Sequence, residues 1–128
     1  MAYLFLLGRI LFGGFFIIAG INHFQNLALL ASFAGPKGVP APKAAVAISG
    51  LLILVGGALI VCGIAPGVAV LCIVLFLIPV TLLMHAYWKD TDPMTQLSNR
   101  VNFQKNVALL GAALTLLAVP RPWPMSLF

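Results

Sequence analysis

Long apolar runs alternate with short polar interruptions along this chain. Four stretches, Tyr3–Asn22, Ala44–Gly63, Val68–Tyr87 and Phe103–Pro120, are almost free of charged side chains. At a helical rise of about 1.5 Å per residue, about 20 apolar residues cover the ~30 Å hydrocarbon core of a bilayer. The pattern therefore predicts an all-α membrane protein with four transmembrane helices in an antiparallel bundle, a single domain over residues 1–128. The first run opens MAYLFLL with no basic side chain before it and no small-residue cleavage site after it. It is expected to remain as the first span and not to be removed as a signal peptide.

The interruptions have characters of their own. Gln25–Lys43 is too short to cross, and its Leu27, Leu30 and Phe33 predict a short amphipathic segment at the interface, stopped by Gly35 and Pro36 and followed by an extended linker. Ile64–Gly67 predicts a tight hairpin between the second and third spans. Residues 88–102 form the polar loop, where Asp92-Pro93 reads as a turn and Thr95–Asn102 as a short surface helix ahead of the fourth span.

Within the spans, small residues predict where helices approach closely. Ser49, Gly56 and Gly63, with Gly50 and Gly57 beside them, make such a strip on the second span, and Ala108, Gly111, Ala112 and Thr115 make one on the fourth. Pro79 removes one backbone donor inside the third span and frees a carbonyl near Leu75. The tail RPWPMSLF cannot extend a helix, and Trp123 is expected to anchor at the membrane interface.

Composition narrows the class. Hydrophobic residues make up 62% and charged residues 7%, against about 25% charged in an average soluble domain. The net charge of +5 comes from basic residues scattered singly, which excludes a nucleic-acid face and fits loop charges that orient membrane helices. Lys37, Lys43, Lys89, Arg100 and Lys105 all belong to the first and third loops or their edges. The positive-inside rule puts these two long loops in the cytoplasm and both termini outside.

Candidate chemistry is sparse. No phosphate loop, HExxH, CxxC or nucleophile-elbow motif is present, so no catalytic or metal-ligating residue is assigned. Cys62 and Cys72 lie in apolar runs on either side of the tight turn, read first as packing residues that are able to meet across the hairpin. Asp90 and Asp92 sit in a solvated loop unsuited to paired-carboxylate catalysis.

Arg9, within the first span, requires a partner, because a charge there costs roughly 2.5–3.5 kcal/mol on insertion scales. The candidates are the Thr115 hydroxyl, backbone carbonyls, a lipid phosphate reached by snorkelling, or an anionic or carbonyl-bearing ligand such as a quinone. In the predicted topology His23, His85, Asn102, Lys105 and Asn106 reach one bilayer face, where they are placed to form the head-group pocket of a quinone or lipid or a contact for a partner. The two histidines also have the arrangement to flank a haem, for which the sequence offers no further cue.

The opening GRILFGGFFIIAGINHF, the AGPKGVPAP linker, the MHAYW end of the third span and the run NFQKNVALLGAALTLL together resemble the DoxX family of small four-helix membrane proteins. The resemblance implies that fold, an expected home in the bacterial inner membrane, and relatives linked to thiosulfate-dependent quinone reduction or to membrane complexes that manage thiol and oxidative stress. More distantly, the fold is similar to that of a eukaryotic cargo receptor of the early secretory pathway. Three functions follow as expectations. The preferred one is a non-catalytic accessory subunit, not a complete enzyme by itself, packing against other membrane subunits or itself. The second is a quinone-linked redox subunit that needs a partner. The third is a carrier or receptor for a small hydrophobic ligand.

Overall fold

The computed structural model describes the whole chain, Met1–Phe128, and its regular structure is all helical, with no strands. Helix α1 spans Ala2–Gln25, α2 Leu27–Ala34, α3 Pro42–Cys62, α4 Pro66–Met84 and α5 Pro93–Thr115, with single 3-10 turns at Gly35–Lys37, Tyr87–Lys89 and Leu116–Ala118. Four helical segments, all but α2, are long and apolar enough to cross a membrane. In sequence order α1, α3, α4 and α5 pack each on the next, and α2 lies against α3 at one end.

In lipid the tails are as apolar as leucine, so helices associate through close packing more than through the hydrophobic effect. The α1/α3 contact shows this most strongly. A methyl group built on Gly13 would stand 2.6 Å from the Gly57 carbonyl oxygen, and one on Gly57 would stand 2.6 Å from the Gly13 carbonyl oxygen. One heptad away, a methyl on Gly20 would lie 2.9 Å from the Gly50 carbonyl oxygen. The two backbones touch, and any side chain there would separate them. The neighbouring Gly56 faces the other way, toward the backbone of Ala69 and the side chains of Cys72 and Ile73 on α4. Adjacent glycines thus let α3 pack closely on both sides. Phe16, Ile53, Ile60, Ala69, Val70, Ile73, Leu77 and Ala113 form the buried core that results.

Three expectations are corrected by the fold. The polar loop contains no separate surface helix: α5 begins at Pro93 and runs unbroken through Thr95–Asn102 into the fourth span. The Asp92 carboxylate accepts from the Thr95 backbone N–H (2.9 Å) and hydroxyl (2.8 Å), Pro93 takes the first helical position, and no breaker follows. The small-residue strip of α5 does not pack into the bundle, because Ala108, Gly111, Ala112 and Thr115 are all exposed and a methyl on Gly111 would meet nothing within 4 Å. The larger Leu109, Leu110 and Leu116 pack on the core in their place. Trp123 is not an exposed anchor. It is 2% exposed, with its ring edge-on to Phe5 at 5.4 Å.

The tail that carries Trp123 folds back under the bundle, and this accounts for Arg9. Arg9 is 2% exposed. Its Nε donates to the Ile60 carbonyl at 3.0 Å, one Nη2 N–H to Val61 at 2.6 Å, and further donors to Pro124 at 2.7 Å and Met125 at 3.3 Å. The last four carbonyls of a helix lack intrahelical partners. In α3 each has one: Leu59 accepts from the Ile64 N–H, Ile60 and Val61 from Arg9, and Cys62 from the Leu127 N–H. The guanidinium thus closes the negative end of α3 and ties the tail to it. The Thr115 hydroxyl bonds its own helix, to the Ala112 carbonyl.

Candidate functional site

At the opposite end of the bundle α1, α3, α4 and α5 do not close completely. They leave a cavity of about 390 Å³, to which α2 also contributes Leu30 and Ala34. Volumes of 300–1,000 Å³ are typical of small-molecule sites. The walls are apolar, with Phe15 and Phe16 from α1, Val46 from α3, and Phe76, Leu77 and Leu83 from α4 among them. Pro79, which has no N–H to offer the Leu75 carbonyl, lines it as well, together with Leu75 itself. The few polar side chains are His23, Ser49, His85, Lys105 and Asn106.

Four of these five groups are held by an identifiable neighbour. His23 Nδ1 lies 2.8 Å from the Ala19 carbonyl oxygen, and its ring meets Phe76 edge-on at 5.7 Å. Gly50 makes room for it, since a methyl there would stand 2.7 Å from His23 Cβ. His85, just past the end of α4, has its Nδ1 3.2 Å from Asn99 Oδ1, and Asn99 in turn donates from Nδ2 to Asp90 at 2.8 Å. The turn that brings His85 to α5 is pinned by Tyr87, Trp88 and Phe103, whose rings pack edge-on at 5.4–5.8 Å. Lys105 places its ammonium 5.6 Å from the Phe15 ring centroid and donates to Asn102 at 3.4 Å. Ser49 bonds back to the Val46 carbonyl at 3.0 Å.

Asn106 differs from the rest. It is 6% exposed, lines the cavity, and its side chain has no hydrogen-bond partner in the protein. Its amide is not sealed off, because the only fully enclosed side-chain polar atom without a partner is Trp123 Nε1, at the other end of the molecule. A buried amide retained without a protein partner needs some other group to satisfy it.

Of the six residues singled out by sequence, the cavity therefore gathers His23, His85, Lys105 and Asn106. Asn102 touches Lys105 without lining the cavity, and Arg9 belongs to the tail at the far end. Sequence reasoning missed Asn99, Asp90 and Ser49. Asn99, Asn102 and Asn106 stand at i, i+3 and i+7 on one helix face, a signal hidden when the helix was broken before Phe103. Cys62 and Cys72 are both free thiols.

Four helices long and apolar enough to cross a bilayer define an integral membrane protein, and a mostly apolar cavity with a few polar groups opens at one end of it. The family model for DoxX matches residues 4–86, and the chain belongs to the DoxX family. The matched stretch takes in α1 to α4 and ends before α5, so Asn99, Lys105 and Asn106 lie outside it. No curated protein and no solved structure matches the chain.

Proposed function

We propose that this protein binds a small hydrophobic molecule within the membrane and acts as its carrier or receptor. The observation that supports this is Asn106, a buried amide without a protein partner facing an apolar cavity of about 390 Å³. In this reading the ligand's body lies among Phe15, Phe76, Leu77 and Leu83, and its polar head meets His23, His85, Lys105 and Asn106. A quinone-linked role is the special case in which the ligand is a quinone, held as quinol or in its oxidised form, serving a redox partner. We place the cavity mouth toward the cytoplasm of a bacterial inner membrane, the side to which Lys37, Lys43, Lys89, Arg100 and Lys105 would orient it.

Purification in a mild detergent followed by native mass spectrometry tests the proposal. A bound lipophile of reproducible mass should accompany the wild type and be lost from Leu83→Trp, which fills the cavity from its rim. Ligand-free protein from native membranes, or retention undiminished in Leu83→Trp, would reject it.

A second reading, the accessory subunit, draws on a separate observation. Ala108, Gly111, Ala112 and Thr115 form an exposed strip on α5 that the bundle itself does not use, and small residues are what a neighbouring transmembrane helix packs against. Copurification at fixed stoichiometry with another membrane protein, abolished by Gly111→Leu, is its expected signature.

A further inference from the structure

The two histidines of the cavity offer the same kind of atom to a ligand. A carbonyl oxygen only accepts, so His23 Nδ1, 2.8 Å from the Ala19 carbonyl, must carry the ring proton. In the tautomer with the proton on Nδ1, Nε2 is a bare acceptor. At His85 the same result follows through one more step. The Asp90 carboxylate accepts from Asn99 Nδ2 at 2.8 Å, which turns Asn99 Oδ1 toward His85 Nδ1 at 3.2 Å. Nδ1 must then donate, and Nε2 is again left as an acceptor without a protein partner. Asn99 does not touch the cavity, and its part is to fix the tautomer. Donors at the same end come from the amide of Asn106, unpartnered and 6% exposed, and the ammonium of Lys105.

We infer that the cavity selects ligands whose polar head is a hydroxyl, a phenol or alcohol on an apolar body, over the corresponding ether or carbonyl compound. The inference rests on the ligand-binding reading above. A hydroxyl gives its proton to an imidazole Nε2 and accepts on its oxygen from Asn106 or Lys105. An ether or ketone has no proton to give and satisfies neither imidazole, whereas a hydroxyl satisfies one, so the analogue leaves one more acceptor unmatched in an apolar surround. Sites built to bond a hydroxyl reject analogues that lack it more strongly than apolar pockets reject differences of size.

The test compares para-octylphenol, its methyl ether and octylbenzene by calorimetric titration of the full-length protein in detergent, with Leu83→Trp as the measure of partitioning into the micelle. The phenol is expected to bind roughly tenfold or more tighter than the other two, with the preference lost in His85→Phe and reduced in Asn99→Leu. Equal binding of phenol and ether, blocked by Leu83→Trp, would overturn the hydroxyl preference and leave the ligand-binding reading standing. No binding of any probe beyond that of Leu83→Trp would overturn both. Nitrogen-15 NMR of wild-type protein labelled at histidine gives a reading that needs no variant to fold. The His85 Nε2 resonance should be that of an unprotonated imidazole nitrogen, and a protonated Nε2 on the neutral ring would overturn the inference.

Discussion

Arg9 Nε and the Ile60 carbonyl oxygen stand 3.0 Å apart, joining the first span to the end of the second across 51 residues of sequence. The other donors of the same guanidinium reach Val61, Pro124 and Met125, so one side chain ties α1, α3 and the tail together. Hydrogen bonds to a charged group are worth about 1.5–3 kcal/mol each and do not add simply. Arg9→Met should lower stability by on the order of 3 kcal/mol and expose the tail after Pro120 to protease. Arg9→Lys should recover part of the loss, since an ammonium cannot span the same set of carbonyls. Thermal unfolding in detergent and limited proteolysis measure both effects. Retention of the lipophile proposed for the cavity should not change, because Arg9 lies at the other end of the bundle. Loss of ligand from a variant with a protected tail would return Arg9 to the binding site.

Trp123 contributes its ring to this end of the molecule but leaves Nε1 enclosed and without an acceptor. An unsatisfied buried donor costs about 1–3 kcal/mol. Trp123→Phe removes the donor and keeps an aromatic ring beside Phe5, so its stability should equal or exceed that of the wild type. Trp123→Ala should be destabilised by about 3 kcal/mol through lost packing. A Trp123→Phe variant as unstable as Trp123→Ala would mean that the indole N–H has a partner, such as a trapped water.

The spans and their order were legible because lipid enforces long apolar runs, and Gly50, Gly56 and Gly57 of α3 were legible as close-packing positions, whereas Ser49 lines the cavity and Gly63 caps α3 against the tail. The direction of the α5 strip was not. Ala108, Gly111 and Ala112 fit a helix contact or a lipid-facing surface equally well, and in the fold Leu109, Leu110 and Leu116 take the inward positions. Four of the six site residues meet in the cavity because loop ends on one membrane side are brought together by topology alone. The role of Asn99 depended on recognising Asp92 as a helix cap, and reading Asp-Pro as a turn concealed it. Arg9 demanded a partner by its energetics, but the carbonyls of Pro124 and Met125 were not legible without knowing that the tail turns back.

Asp92 gives a pH prediction whose sign follows from its bonds. Donation from the Thr95 backbone N–H and hydroxyl favours the ionised carboxylate and holds its pKa below the usual aspartate value. A carboxyl with a depressed folded pKa stabilises the fold above the unfolded value, about pH 4, and that contribution fades as pH falls through the lower folded value. Backbone amide exchange in the first turn of α5 should therefore speed up in acid, beyond the intrinsic pH dependence of exchange. Asp92→Asn keeps an acceptor at the cap and should lose most of this acid sensitivity. Exchange protection of the Thr95 amide that is the same at neutral pH and below the folded pKa would refute the cap's role.

The contrast between Gly57 and Gly111 tests the packing argument most directly, because the same substitution is expected to act with opposite sign. A methyl on Gly57 would be driven to 2.6 Å from the Gly13 carbonyl oxygen and 3.0 Å from the Ile17 backbone nitrogen. Neither backbone atom can yield without moving a helix, so Gly57→Ala should cost about 1–3 kcal/mol. At Gly111 the added methyl meets nothing within 4 Å. Gly111→Ala only removes the conformational freedom of glycine in a helix, and should leave stability unchanged or raise it by up to about 1 kcal/mol. Unfolding of both variants in the same detergent makes the comparison internal. If Gly57→Ala is tolerated as well as Gly111→Ala, the α1/α3 contact is looser than its geometry, and the glycines of α3 owe their place to something other than backbone approach.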